Sequence, residues 1–511
     1  MLAKAGFAVT VLEADPVHVG GIARTVTHRS QAVGGQPFRF DIGGHRFFSK
    51  SREVEDLWTE ILGDDMLVRP RKSRILYGGR CFDYPLRASQ ALINLGAVET
   101  ARCALSYLAA RAFPVRDPRS FEDWVSNCFG RRLYRIFFKT YTEKVWGMSC
   151  KDISADWAAQ RIKGLSLSKA AWNALWPRLE SDRSRQVKTL ISSFRYPRLG
   201  PGMMWERAAQ RVRDMGGEIR MGCRCNALEL LPPAAPSPPS NAPTSQPRSA
   251  TWRVHCTDAS GAPSSIDASH VICSAPLGEV VSGLTPRVPA EVLHAAAQLK
   301  YRDFLTVALV VRPVRQIDDN WLYVHEPGVK VGRIQNFGAW SPEMIPDERL
   351  ACYGLEYFCF EGDGLWAMED RELVILATRE LAELGLARES DVLDGVVVRQ
   401  PKAYPVYDAQ YMRHVGTIRA ALEERYPGLY PVGRNGMHKY NNQDHSMMTA
   451  MLAVRNIVSG GRRYDIWTVN EDAEYHESGP DPGRDADSAG ASGLRAVPRS
   501  IRETGSGPTD R

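Results

Sequence analysis

The chain has 511 residues, 44% of them hydrophobic, with 12 tryptophans and a formal net charge of +6. That length exceeds one simple core and implies two or three globular domains. So mild a positive balance gives no case for nucleic acid, although it suits an anionic small-molecule substrate.

Met1 to Ala5 reads as the end of a helix stopped by Gly6, and Phe7 to Leu12 alternates like a buried strand. Glu13 stands at the strand's end and Gly20-Gly21 follows. In a dinucleotide-binding βαβ unit an acidic residue in this position holds the ribose hydroxyls. It lies about 20 residues after a glycine-rich pyrophosphate loop. Counting back from Glu13 passes Met1, so that first strand and loop are expected to be missing from the chain as given. The other reading of Glu13 is a surface carboxylate at a strand end. Next, "PFRFDIGGHRFF" alternates up to Ile42 and breaks at Gly43-Gly44.

Residues 87–180 read as mostly helical, with Gly130 dividing two helices inside "SFEDWVSNCFGRRLYRIFFKTY". "GEIRMGCRCNALEL" (217–230) reads as one strand, which would point Cys223 and Cys225 the same way. The Pro/Ser/Ala run from Pro232 to Ser249 is expected to be an exposed loop. "TWRVHC", "HVICSAPLGEVV", "LTVALVV", "VGRIQNF" and "CYGLEYF" read as strands, and residues 370–385 as a helix. A final helix starts near Asn442 or Asp444, either of which can cap it, and buries Met447, Met451, Leu452 and Val454. Beyond about residue 475 the composition is that of a disordered tail.

The ten cysteines contain no C-x-x-C pair, so no metal site is expected, and scattered thiols suit a reducing compartment. No apolar run reaches membrane-span length and no signal peptide is legible, which makes the cytoplasm the expected location. Helical and strand-rich stretches interleave. The expected fold is therefore α/β: a discontinuous Rossmann-like nucleotide-binding domain, with an inserted α+β substrate domain. The nucleotide-binding segments are placed at 1–85, 201–285 and 421–470, and the substrate-domain segments at 86–200 and 286–420. The tail occupies 471–511.

The cofactor rests on a resemblance. "VLEADPVHVGGIART", "FDIGGHRFF", "FFKTYTEKVWG", "YPRLGPGMMWE" and "GRNGMHKYNNQDHS", in this order and spacing, resemble the flavoprotein family of amine oxidases, protoporphyrinogen oxidase, carotenoid desaturases and UDP-galactopyranose mutase. The resemblance spans residues 1 to about 465 and implies FAD. It assigns Glu13 to the adenosine ribose, Gly20 and Gly21 to a close backbone approach, and Arg24 and Thr25 to the diphosphate and flavin. Gly43, Gly44 and His45 would face the flavin ring, with His45 as candidate polar contact or structural loop histidine. The backbone of Cys225 would touch adenine. Gly433 and Arg434 would approach the cofactor, and Asn442 and Asp444 would open the helix whose N-terminus faces the ring.

Within that family, "FFKTYTEKVWG", "AYPVYDAQY", "VGRIQNF" and "GRNGMHKYNNQDHS" are most similar to the mutase branch. Carried over, Arg333, Tyr404 and Tyr440 would hold the diphosphate of a nucleotide sugar, since a guanidinium and two phenols suit phosphate oxygens. Phe48 stands where mutases have a second histidine, and Asn336 and Asn442 replace acids. "YPRLGPGMMWE" resembles the oxidase branch instead. The implied activity is an FAD-dependent oxidoreductase taking hydride from an organic substrate, with a glycan or nucleotide-sugar precursor as candidate. The alternatives are a nucleotide-sugar isomerase working with reduced flavin, and a protein that binds no flavin.

Overall fold

The computed structural model describes residues 1–153 (less 85 and 87), 155, 193–232 and 251–470 (less 315 and 409). Nearly all of the Pro-rich segment, the expected helical stretch 156–180 and the tail lie outside them.

The largest element is a seven-stranded sheet. Its order is Val392–Pro405, Tyr301–Val311, Ala351–Cys359, Arg333–Asn336, Trp321–Val324, Ser73–Tyr77 and Arg80–Asp83. Only Trp321–Val324 and Ser73–Tyr77 pair in parallel. Apolar residues fill both faces of Tyr301–Val311, which is why its sequence runs apolar without alternation. Leu305, Val307 and Leu309 pack under Leu373, Ala377 and Leu381 of helix Asp370–Glu383. Ala308 and Val310 face Phe38, Phe40, Phe194 and Trp340 on the other side. Each such aliphatic side chain removed from water contributes about 1.5–3 kcal/mol.

The expected nucleotide-binding part is divided among smaller sheets. Thr10–Glu13 runs parallel to Glu218–Met221, and Val271–Cys273 parallel to Leu429–Pro431. Neither pair gains a third strand among the described residues. Arg224–Leu231, Thr251–Thr257, Pro263–Ala268 and Leu284–Thr285 form a separate four-stranded sheet. These pieces share a core of Trp58, Trp252, Leu277, Ile418, Met447 and Leu452.

Three local expectations are corrected. Residues 217–230 are two strands, because Gly222 takes φ +64 and turns the chain between Met221 and Arg224. Cys223 is therefore buried in the turn while Cys225 is exposed on the next strand, and they share no face. "HVICSAPLGEVV" is a short strand, Val271–Cys273, followed by helix Leu277–Ser282.

Helices Ala88–Leu95, Ala97–Ala112 and Phe121–Phe129 precede a helical run from Arg131 to Trp146 that widens at Arg135–Lys139. Ser120 and Asp123 close a capping box on the third helix. Gly130 breaks the chain at φ +82, and a Cβ there would lie 2.7 Å from the backbone nitrogen of Tyr107. The two helices approach closely only because this residue has no side chain.

Candidate active site

Arg333, Tyr404 and Tyr440 come from a central strand, an edge-strand end and a loop, and the fold brings all three to one cavity. It measures about 60 Å³ and is completed by Tyr141, Val145, Trp146 and Phe358. Trp146 lines this cavity and also packs against the core of the helical part. Tyr141 stacks on His325, with ring centroids 5.0 Å apart and planes within 4°. Lys144, from the same helix, hydrogen-bonds the carbonyls of Val324, Glu326 and Val331, fixing this wall to the sheet.

Arg333 donates through Nε to Glu356, whose Cα pairs with it across the neighbouring strand. Glu356 is fully buried, and Gln335 Nε2 donates to its other oxygen at 2.8 Å. Burial works against the Arg333 charge, but the field of Glu356 outweighs it and holds the guanidinium well above its ordinary pKa. Asn336 turns away from the cavity and donates to the Ile317 carbonyl. The carboxylate beside Arg333 is therefore Glu356, a residue no sequence pattern marked, because it lies one strand away and 23 residues on.

The tyrosines form a pair, with centroids 5.7 Å apart and planes within 16°. Arg434 sets them. Its guanidinium lies 5.2 Å from the Tyr404 ring centre and 5.0 Å from that of Tyr440. It donates to the carbonyls of Asn441 at 2.9 Å and Ala403 at 3.0 Å. Burial, then the neighbouring Tyr440, pushes the Tyr404 phenol up to about 12, so it remains a hydrogen-bond donor at neutral pH.

The loop bearing Gly43, Gly44 and His45 lies directly against this network. Gly43 takes φ +98, with Glu356 beside it, and a Cβ on Gly44 would come within 2.9 Å of Gln335 Nε2. Burial, then the charges of Arg434 and Arg333, pulls half-buried His45 down to about 3. Its imidazole is neutral at physiological pH. Asn442 is the N-cap of helix Gln443–Val458 and makes a capping box with His445. Asp444, buried in the first turn, is raised to about 6 by burial against the pull of His445 N–H and the Ser49 hydroxyl.

These residues fit a large polar cofactor. His45 Nδ1, Asn435 Oδ1, Gln443 Oε1 and Asp444 Oδ1 are buried without a hydrogen-bond partner in the protein. Four such atoms on the His45 loop, the turn Gly433–Gly436 and the first turn of helix Gln443–Val458 are what a polar ligand satisfies. A Cβ on Gly433, at φ +77, would meet only Ser446, at 3.8 Å.

The other predicted cofactor residues make contacts of their own, and Arg24 and Thr25 reach Gln400, on the strand of Tyr404, and Asp41, two residues before Gly43. The Glu13 carboxylate, half-buried, accepts from the Asp15 N–H at 2.8 Å. Gly20 is a glycine because a Cβ would run into the Trp205 ring, whereas Gly21 faces open space. Arg24 contacts Gly21 O, Gln400 and Asp15. The Thr25 hydroxyl is buried, donating to Asp41 and accepting from Gly202 N–H, each at 3.0 Å. Cys225 Sγ reaches only the carbonyl of Ala227, at 3.9 Å. No group of side chains with metal-ligand geometry occurs among the described residues.

A glycine loop, a helix N-terminus and unpartnered polar atoms beside an aromatic cavity suit a large polar cofactor. The chain belongs to the flavin-containing amine oxidoreductase family, whose model matches residues 1–435, and FAD is the cofactor of that family. Its fold is similar to that of a reduced UDP-galactopyranose mutase (18% identity, 91% of this chain and 97% of that one covered, TM-score 0.72). It is also similar to a protein assigned as a protoporphyrinogen oxidase from Exiguobacterium sp. 255-15 (16% identity, 89% and 95% covered, TM-score 0.60). A third similar structure is cyclohexylamine oxidase from Brevibacterium oxydans IH-35A (13% identity, 86% and 91% covered, TM-score 0.54).

Proposed function

We propose that the protein is an FAD-dependent oxidoreductase whose organic substrate carries a phosphate or nucleotide group, with a nucleotide sugar as the leading candidate. The observation that carries this reading is the convergence of Arg333, Tyr404 and Tyr440 on one cavity against the Gly43–His45 loop. Bound FAD supplies the hydride acceptor. Arg333 offers charge-assisted hydrogen bonds to phosphate oxygens, with Glu356 fixing its direction. Tyr404 donates a phenolic hydrogen bond, and Arg434 keeps it parallel to Tyr440. Neutral His45 offers a polar contact without placing a charge beside the ring. Trp146, Phe358 and Val145 give the cavity apolar walls beside Tyr141.

A nucleotide-sugar isomerase working with reduced flavin is the second reading, and it uses the same phosphate contacts. Phe48, Asn336 and Asn442 count against it; Asn336 is engaged with backbone and Asn442 with the helix cap. Anaerobic mixing of the flavin-loaded protein with a panel of amines and nucleotide sugars tests the proposal. Loss of oxidised-flavin absorbance with a phosphate-bearing member is expected. No bleaching with any of them, and an isomer formed only after dithionite, would establish the isomerase instead.

A further inference from the structure

The helical part carries several strongly exposed apolar side chains. Ile93 is 76% exposed, Val98 69%, Leu105 67%, Leu108 62% and Phe113 86%. On helix Ala97–Ala112 the exposed residues Val98, Ala101, Leu105, Leu108 and Ala112 are spaced three and four apart, so they form one continuous stripe. Arg102 and Arg111 lie on opposite sides of that stripe by the same helical periodicity. Arg116 follows, also exposed. The helix's one acid, Glu99, is turned to the protein, where it binds Arg132 and sits 3.6 Å from Arg102. Cys103 marks the buried side.

From this arrangement we infer that the face of helix Ala97–Ala112, with Ile93 and Phe113 at its ends, docks peripherally on an anionic lipid surface. An apolar stripe bordered on both sides by arginines lies in the plane of a bilayer. The side chains enter the acyl boundary and the guanidiniums meet the phosphates. Like charge disfavours pairing of two copies through this face, because it would bring arginine-bordered stripes together. No helix among the described residues is long and apolar enough to cross a membrane, so the contact is with the surface.

Sedimentation of the full chain tests this, using vesicles of phosphatidylcholine alone and of equal parts phosphatidylcholine and phosphatidylglycerol. Binding to the anionic vesicles is expected, falling as salt rises. The double variant Leu105→Asp/Leu108→Asp should lose it while keeping the wild-type thermal melt, since both positions are exposed. Arg102→Gln/Arg111→Gln, which leaves the apolar stripe intact, should bind about fivefold more weakly for each charge removed. Three results would overturn the inference: no binding to either vesicle, unchanged binding of both variants, or a lipid-free dimer that Leu105→Asp/Leu108→Asp dissolves.

Discussion

Removing Arg333 does two separable things. Arg333→Ala takes away the candidate phosphate ligand, and it leaves Glu356, at 0% exposure, holding only the hydrogen bond from Gln335. Breaking a buried ion pair from one side costs about 3–5 kcal/mol. At roughly 2–4 °C per kcal/mol this lowers the melting temperature on the order of 10 °C. Burial already raises the Glu356 carboxyl despite the attraction of Arg333. Without that attraction it rises further. A carboxyl whose folded pKa exceeds its unfolded value contributes stability that is complete below the unfolded pKa and is lost as pH rises through the folded one. The melting temperature of Arg333→Ala should therefore fall more steeply than that of the wild type between acidic and mildly alkaline pH. Adding Glu356→Gln should restore most of the stability and remove the extra pH dependence. It should not restore affinity for UDP, measured by titration, which stays weaker by about 1.5–3 kcal/mol. A wild-type melt for Arg333→Ala would refute the buried-pair argument. Wild-type UDP affinity in the double variant would remove Arg333 from the substrate site.

Tyr404→Phe and Tyr440→Phe keep the ring pair over Arg434, so their melts should match the wild type. Each hydroxyl that touches phosphate should cost about 0.5–1.5 kcal/mol of UDP affinity by calorimetry, and unchanged affinity in both would exclude the phenols. Burial lifts Asp41 to about 7 against the Tyr196 and Thr25 hydroxyls. Its stability contribution is complete below its unfolded value and declines as pH rises towards 7, by on the order of a few kcal/mol. Denaturant titrations of Asp41→Asn should lack that part of the pH slope; an identical slope would refute the assignment. Gly130→Ala should destabilise the helical part by about 1–3 kcal/mol, because it forces φ +82 on alanine and places a Cβ against the Tyr107 backbone. An unchanged melt would contradict the close approach.

Much of the candidate site was legible from sequence because it lies in short motifs with local geometry. Gly43-Gly44-His45 ends a strand of alternating pattern, and Asn442 opens a helix whose buried face repeats at helical spacing. Arg333, Tyr404 and Tyr440 were recognisable from motif resemblance, and the fold brings them together. Glu356 was not legible: it sits inside "CYGLEYF", where every residue is buried and nothing local separates a charged partner from the surrounding strand. The role of Arg434 in holding two tyrosines was likewise hidden, since its contacts at Ala403 and Asn441 depend on long-range packing. The division of residues 217–230 is not legible in the sequence, because Gly222 reads as a strand glycine and only its positive φ makes the turn.

Product analysis after a single anaerobic turnover of the flavin-loaded protein with a nucleotide sugar tests the central claim most directly. The account predicts one product lighter by two hydrogens for each flavin reduced. A product of unchanged mass, formed with no net loss of oxidised-flavin absorbance, would contradict it.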